Sequence, residues 1–232
     1  MEGFSYVDIY ATKGIEYLII IAFLLLVMAF WRYVTSPERR TAVAEAVRRG
    51  LEEMVEYFRV PEGRYFHQGH SWAKVESGDV VTVGMDDFAQ KLIGKIDSIA
   101  LPTPGSTLVQ GERGWTLDVD SRRIDMLSPV HGEVLTINEE ALRSLEIIHQ
   151  DPYDMGWLMK VRVPKLSPIL HNLLSGTLAR QWTEDALENL RARIGGNLGV
   201  VYQDGGLPVR GIARALDPQK WDEIAKEFLL TK

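Results

Sequence analysis

The 232-residue sequence contains no cysteine. Disulfides, thiolate nucleophiles and iron–sulfur or zinc sites ligated by cysteines of this chain alone are thereby excluded. Any redox chemistry near the protein has to reside in a partner or an added group. An excess of positive charge is also missing: 26 Lys and Arg stand against 32 Asp and Glu, a formal net charge of −6. Nucleic-acid binding of a general kind needs a basic stripe to neutralise phosphates, and only one short basic segment is present. There is no low-complexity tract, and a charged fraction of 25% belongs to a folded chain. No glycine-rich phosphate loop, Ser-His-Asp arrangement or nucleotide fingerprint stands out. The length accommodates one domain of moderate size with appendages, or two small domains.

What is present, and conspicuous, is the apolar run IEYLIIIAFLLLVMAFWRYV, from Ile15 to Val34. No charge interrupts Tyr17 to Trp31, and a helix over the whole run is about 30 Å long, enough to cross a bilayer. Tyr17, Trp31 and Tyr33 stand where an aromatic belt forms, and Glu16 and Arg32 can reach the headgroups. A cleaved signal peptide would have a basic start and a small-residue cleavage site. Here Glu2 and Asp8 precede the run and Phe-Trp-Arg ends it. Arg32, Arg39, Arg40, Arg48 and Arg49 follow the run, whereas only Lys13 precedes it. The positive-inside rule then puts the N-terminus outside and the rest in the cytoplasm, as a single-pass protein of the inner (cytoplasmic) membrane.

Ser36 and Pro37 suit the cap and first position of a linker helix to residue 59, with Val43, Val47, Leu51, Met54, Val55 and Phe58 on one face. That stripe is expected to pack on the following domain or on a neighbouring subunit. From residue 60 to 164 the pattern changes to short alternating strands and turns. Trp72–Val75 and Val80–Val83 flank a hairpin turn, and a short helix capped near Asp86 leads to a strand from Ile96 to Leu101. Trp115–Val119 and Met126–Val130 bracket a polar tip from Asp120 to Asp125. A strand from Val134 to Ile137, a helix from Asn138 to Leu145 and a strand from Trp157 to Val163 follow. Many short strands with few helical turns predict a small sandwich or flattened barrel.

Three separated blocks carry a family resemblance: HSWAKVESGDVVTVGMDDFAQKLIGKIDSIALPTPGSTLVQG, SPVHGEVLTINEEAL and DPYDMGWLMKV. In this order and spacing they resemble the H protein of the glycine cleavage system. The resemblance implies the mainly β barrel-sandwich hybrid of lipoyl and biotinyl carriers, with a hairpin whose tip lysine bears lipoate. Counting back from SPVHGEV without gaps, that lysine falls on Ser121, with Asp118 on an acidic position shortly before it. A serine hydroxyl is a weak nucleophile on a short stem, and the guanidiniums of Arg122 and Arg123 stay protonated. Lys74, Lys91, Lys95 and Lys160 lie outside the hairpin. The expectation is therefore a carrier fold without its arm and without a cofactor, its hairpin residues Asp118, Asp120, Ser121, Arg122, Arg123 and Asp125 forming a charged docking surface.

His67 and His70 invite a metal reading, but no third ligand follows at zinc spacing. His131 and His149 stand alone. Beyond residue 164 a helical extension is expected: Leu166–Leu174, then a helix carrying Leu178, Trp182, Leu187, Leu190 and Ile194. A strand at 198–202, a turn at QDGG and a last helix capped by Asp217-Pro218 complete it. These helices either finish the core or present a face to a partner. Together these features describe a non-catalytic, membrane-anchored H-like scaffold subunit of a larger complex. The likeness of such chains is to membrane-bound respiratory complexes with iron–sulfur or molybdopterin subunits. The alternative is a lipoyl-type carrier with a non-standard attachment site.

Overall fold

The computed structural model describes residues 13–34, 58–194 and 210–231. The expected linker helix before residue 58, the strand at 198–202 and the QDGG turn lie outside them. Helix α1, Lys13–Val34, contains the stretch Gly14–Arg32 with a mean hydropathy of 2.4, and its side chains from Gly14 to Arg32 are exposed. Among the described residues it is the one helix long and apolar enough to cross a membrane. Glu16 in its first turn and Arg32 in its last each oppose the nearer end of the helix dipole favourably.

The remaining described residues build two antiparallel sheets. Strands β1 (Tyr65–His67), β2 (Ser71–Ser77), β3 (Val80–Met85), β5 (Thr107–Leu108), β8 (Gly132–Ile137) and β9 (Met159–Arg162) form a sheet of order β1-β2-β3-β9-β8-β5. Strands β4 (Ser98–Ala100), β6 (Arg113–Val119) and β7 (Arg122–Leu127) form a second sheet of order β4-β6-β7. Alternation decides which face is inside. Leu117, Val119, Ile124 and Met126 are fully buried with Val81, Val83, Val134, Met159 and Val161 in one core, while Thr116, Asp118 and Arg123 face the other way. Burying side chains of this size contributes about 1.5–3 kcal/mol each, which is what holds two such small sheets together. At Gly132 only glycine fits against β9: a Cβ there would stand 2.1 Å from the carbonyl oxygen of Arg162.

Short helices close the ends. Helix α2, Asp87–Ile93, is capped by Asp86, whose carboxylate accepts the Ala89 N–H, and stops at Gly94 with φ 84°. Asn138 caps α3, Glu139–Arg143, by accepting from Ala141 N–H, while its amide donates to the carbonyls of Met155 and Trp157. The single helix expected to run to Leu145 breaks at Ser144, and α4, Glu146–Gln150, follows. Gly156 is pressed against the backbone of Ile148, Asp151 and Pro152, a fit that a continuous helix would not provide.

Among the described residues the C-terminal extension contains α5 (Leu166–His171), α6 (Gly176–Ile194), α7 (Ile212–Leu216) and α8 (Trp221–Phe228). Its faces finish the core: Leu187, Leu190, Ile212, Trp221, Ala225 and Leu229 join the same buried cluster as the sheets. Trp182 packs with a smaller cluster of Phe66, Trp72, Tyr153 and Ala179. Asp217 does not cap α8. It ends α7, and its carboxylate accepts the N–H groups of Gln219 and Lys220 in the turn before Trp221.

Candidate functional site

The β6–β7 hairpin is tighter than its polar composition suggests. Val119 pairs with Arg122, Asp118 with Arg123, Leu117 with Ile124 and Thr116 with Asp125. The turn is therefore the two residues Asp120-Ser121, with φ of 50° and 63°. Positive φ at both central residues is the signature of a type I′ turn, whose twist matches that of the strands. The expected six-residue tip from 120 to 125 is corrected: four of its residues are strand, because Ile124 reaches the core and holds the register.

The charged residues of the hairpin have separate employments. Asp118 accepts from the Ser98 hydroxyl at 2.8 Å and from Arg123 Nε at 3.4 Å; the serine first, and the arginine second, hold its carboxyl below the usual carboxylate range. Asp125 accepts from Thr116 Oγ1 at 2.7 Å, and the backbone N–H of Asp120 donates to Asp97 at 2.7 Å. Arg122 points the other way, pairing with Asp222 and donating to the carbonyl of Gln219 at 2.7 Å. Ser121 and Arg123 are exposed. No lysine lies on the hairpin: Lys91 pairs with Asp87 at 2.7 Å, Lys74 with Glu76, Lys160 lies over the Trp157 ring, and Lys95 is exposed in the segment between α2 and β4. An amide-linked lipoyl arm does not fit this tip, since Ser121 offers a hydroxyl on one carbon where the arm needs an ε-amine.

A second polar group lies beneath α2. His70, 1% exposed, donates from Nδ1 to Asp86 at 2.8 Å, stacks on Phe88 and has the tilted Trp182 ring 4.5 Å away between centroids. His67 accepts the Gly69 N–H at Nδ1, and burial together with the nearby His70 lowers its pKa below the ordinary 6.5. The structure thus commits one nitrogen of each imidazole to a protein partner. Among the described residues no three His, Cys, Asp or Glu side chains are grouped to hold a metal. Tyr153 links distant segments: its hydroxyl donates to the Arg59 carbonyl and accepts the Asp87 N–H, and burial raises its pKa well above 10.0. Arg64 lies across Trp72 and Tyr153 and pairs with Asp154 at 2.8 Å. This network was not foreseen from sequence. The HSW, MDDF and DPYD blocks that build it are far apart in the chain.

Two small sheets curled about one core, with a two-residue hairpin at one end, define the lipoyl and biotinyl carrier class. A family model described as glycine cleavage H-protein matches residues 64–186, just over half of the chain, and reaches into α6. The chain belongs to the glycine cleavage H-protein family. The glycine cleavage system H protein of Pelodictyon phaeoclathratiforme is 38% identical over 125 residues, which are 53% of this chain and 97% of that one. That of Rubrobacter xylanophilus is 36% identical over 111 residues, 48% of this chain and 87% of the relative. A solved H protein from Mycobacterium marinum aligns at 26% identity and a TM-score of 0.46, over 56% of this chain and 98% of that one.

Proposed function

We propose that the chain is a non-catalytic, H-like scaffold subunit, held by a single membrane span on the cytoplasmic face of a larger membrane complex. The observation that carries this reading is Ser121 at the tip of the carrier hairpin. A carrier domain without an attachment amine has nothing to ferry. It keeps its shape, a charged edge at Asp118, Ser121 and Arg123, and an apolar helix from Gly14 to Arg32 that would hold it at a bilayer. The arginine excess after that helix supports an external N-terminus. Tyr17 and Trp31 would sit at the two interfaces, with Arg32 reaching the cytoplasmic headgroups. A respiratory redox complex is the assembly proposed, because a cysteine-free chain contributes no thiolate-ligated centre and would serve iron–sulfur or molybdopterin partners by positioning them.

The test is mild detergent extraction from the native membrane followed by mass spectrometry of the co-purifying subunits. A stable set that includes iron–sulfur or molybdopterin proteins is expected; a monodisperse lone protomer would sink the reading. The exposure of Ser121 favours a second one, a carrier with a non-standard attachment at this hydroxyl or at a lysine elsewhere. The intact mass of the chain from its native source decides between them, and any covalent addition supports the carrier.

A further inference from the structure

The face of the hairpin that carries Arg122 is covered by the chain itself. Arg122 pairs with Asp222 in the first turn of α8 and donates to the carbonyl of Gln219 just before it. Both Arg122 and Arg214 lay their guanidiniums on the ring of Trp221, at 5.9 and 5.2 Å from its centroid, and that tryptophan is 1% exposed. Arg214 also reaches Asp120 of the turn at 3.6 Å. At the other end of α8 the Leu229 carbonyl stands 3.0 Å from where a Cβ on Gly69 would be, next to Leu127 at the end of β7. Helix α8 therefore lies alongside β7 from tip to root. Each charged group in the contact has an opposite charge or an aromatic face, so the fit is chemical as well as steric.

We propose that α7 and α8 are a built-in ligand of the Arg122 flank of the carrier hairpin, which leaves Ser121 itself exposed but hinders lipoyl-attaching enzymes that have to enclose the whole turn. Position 121 is then silenced by residue type and hindered from the Arg122 side by a flanking helix whose key is the Trp221-Asp222 pair. An enzyme that modifies a tip lysine has to take the whole turn into its active site. Gln219 to Asp222 stand against Arg122, the neighbour of position 121, and obstruct that approach. The inference rests on the armless part of the reading above and does not depend on the membrane complex.

The experiment uses the full chain in detergent with Ser121→Lys, lipoate, ATP and a lipoate–protein ligase. Lysine Nζ attacks the carbonyl of lipoyl-adenylate, an amide forms, AMP leaves and a proton passes to solvent; intact mass follows the product. Adding Asp222→Lys, which repels Arg122, is expected to speed labelling by about tenfold by favouring local opening. Restoring opposite charges with Arg122→Glu in the same chain should slow it again, a rescue that misfolding would not show. Equal labelling of Ser121→Lys with and without Asp222→Lys overturns the proposal. If no variant is labelled, amide exchange at residues 119–123 decides: faster exchange in Asp222→Lys supports the cover, and unchanged exchange overturns it. An added mass on the wild-type protein at a lysine away from the hairpin would remove the armless reading and leave the cover standing, whereas one on Ser121 would overturn both.

Discussion

At the scale of single residues, His67 and His149 tie their protonation to folding. Burial and the nearby His70 depress the pKa of His67 in the folded chain, and burial does the same for His149. The unfolded chain, with histidine near 6.5, takes up these protons first as pH falls. Neutral in both states at higher pH, the two imidazoles then contribute nothing; below about 6.5 they favour unfolding. The urea midpoint is expected to drop between pH 7.5 and 5.5, and less so in His67→Gln; an identical drop in that variant would discount His67 as the cause. Some residues of the site were readable before folding and others were not. Ser121 could be placed at the tip by counting back from SPVHGEV without gaps, because the resemblance to the H-protein family puts the tip lysine at that distance. The partners of Arg122 could not, since Asp222 is 100 residues away in sequence.

At the scale of elements, caps and alternation were local signals and led to the right places. Asp86 and Asn138 cap the helices they precede, and the hairpin turn at Gly78 follows its composition. Asn138 does more than cap, since its amide donors tie α3 to the segment before β9. Asn138→Ala is expected to cost about 2–3 kcal/mol in a denaturation experiment, more than a lost cap alone, because two carbonyls lose their donor. Asn138→Asp keeps the cap and should recover only part of that loss; full recovery would show that the two carbonyl bonds contribute nothing. The element boundaries that went astray were those set by distant packing. The tip shortened because Ile124 is drawn into the core, and the helix after Asn138 broke where Gly156 crosses Ile148 and Asp151.

At the scale of the whole molecule, the chain divides into an apolar helix and a domain with its own core. Among the described residues, that core is built from side chains between Phe58 and Leu229. Removal of residues 1–51 is therefore expected to leave a folded, water-soluble protein with a cooperative thermal transition, while the full chain partitions into detergent. A deletion product that aggregates or melts without cooperativity would contradict this division.

The sequence by itself determined the apolar helix, from composition and length, and it carried in three separated blocks the resemblance to the H-protein family that implied the carrier class and placed Ser121 at the tip. Only the tertiary structure decided what the C-terminal helices do. Their amphipathic faces suited a core or a partner equally, and amphipathicity states that a face must be covered without stating by what. The burial of Trp221 and the pairing of Asp222 with Arg122 answer that question. They arise from residues brought together only when the two sheets have closed.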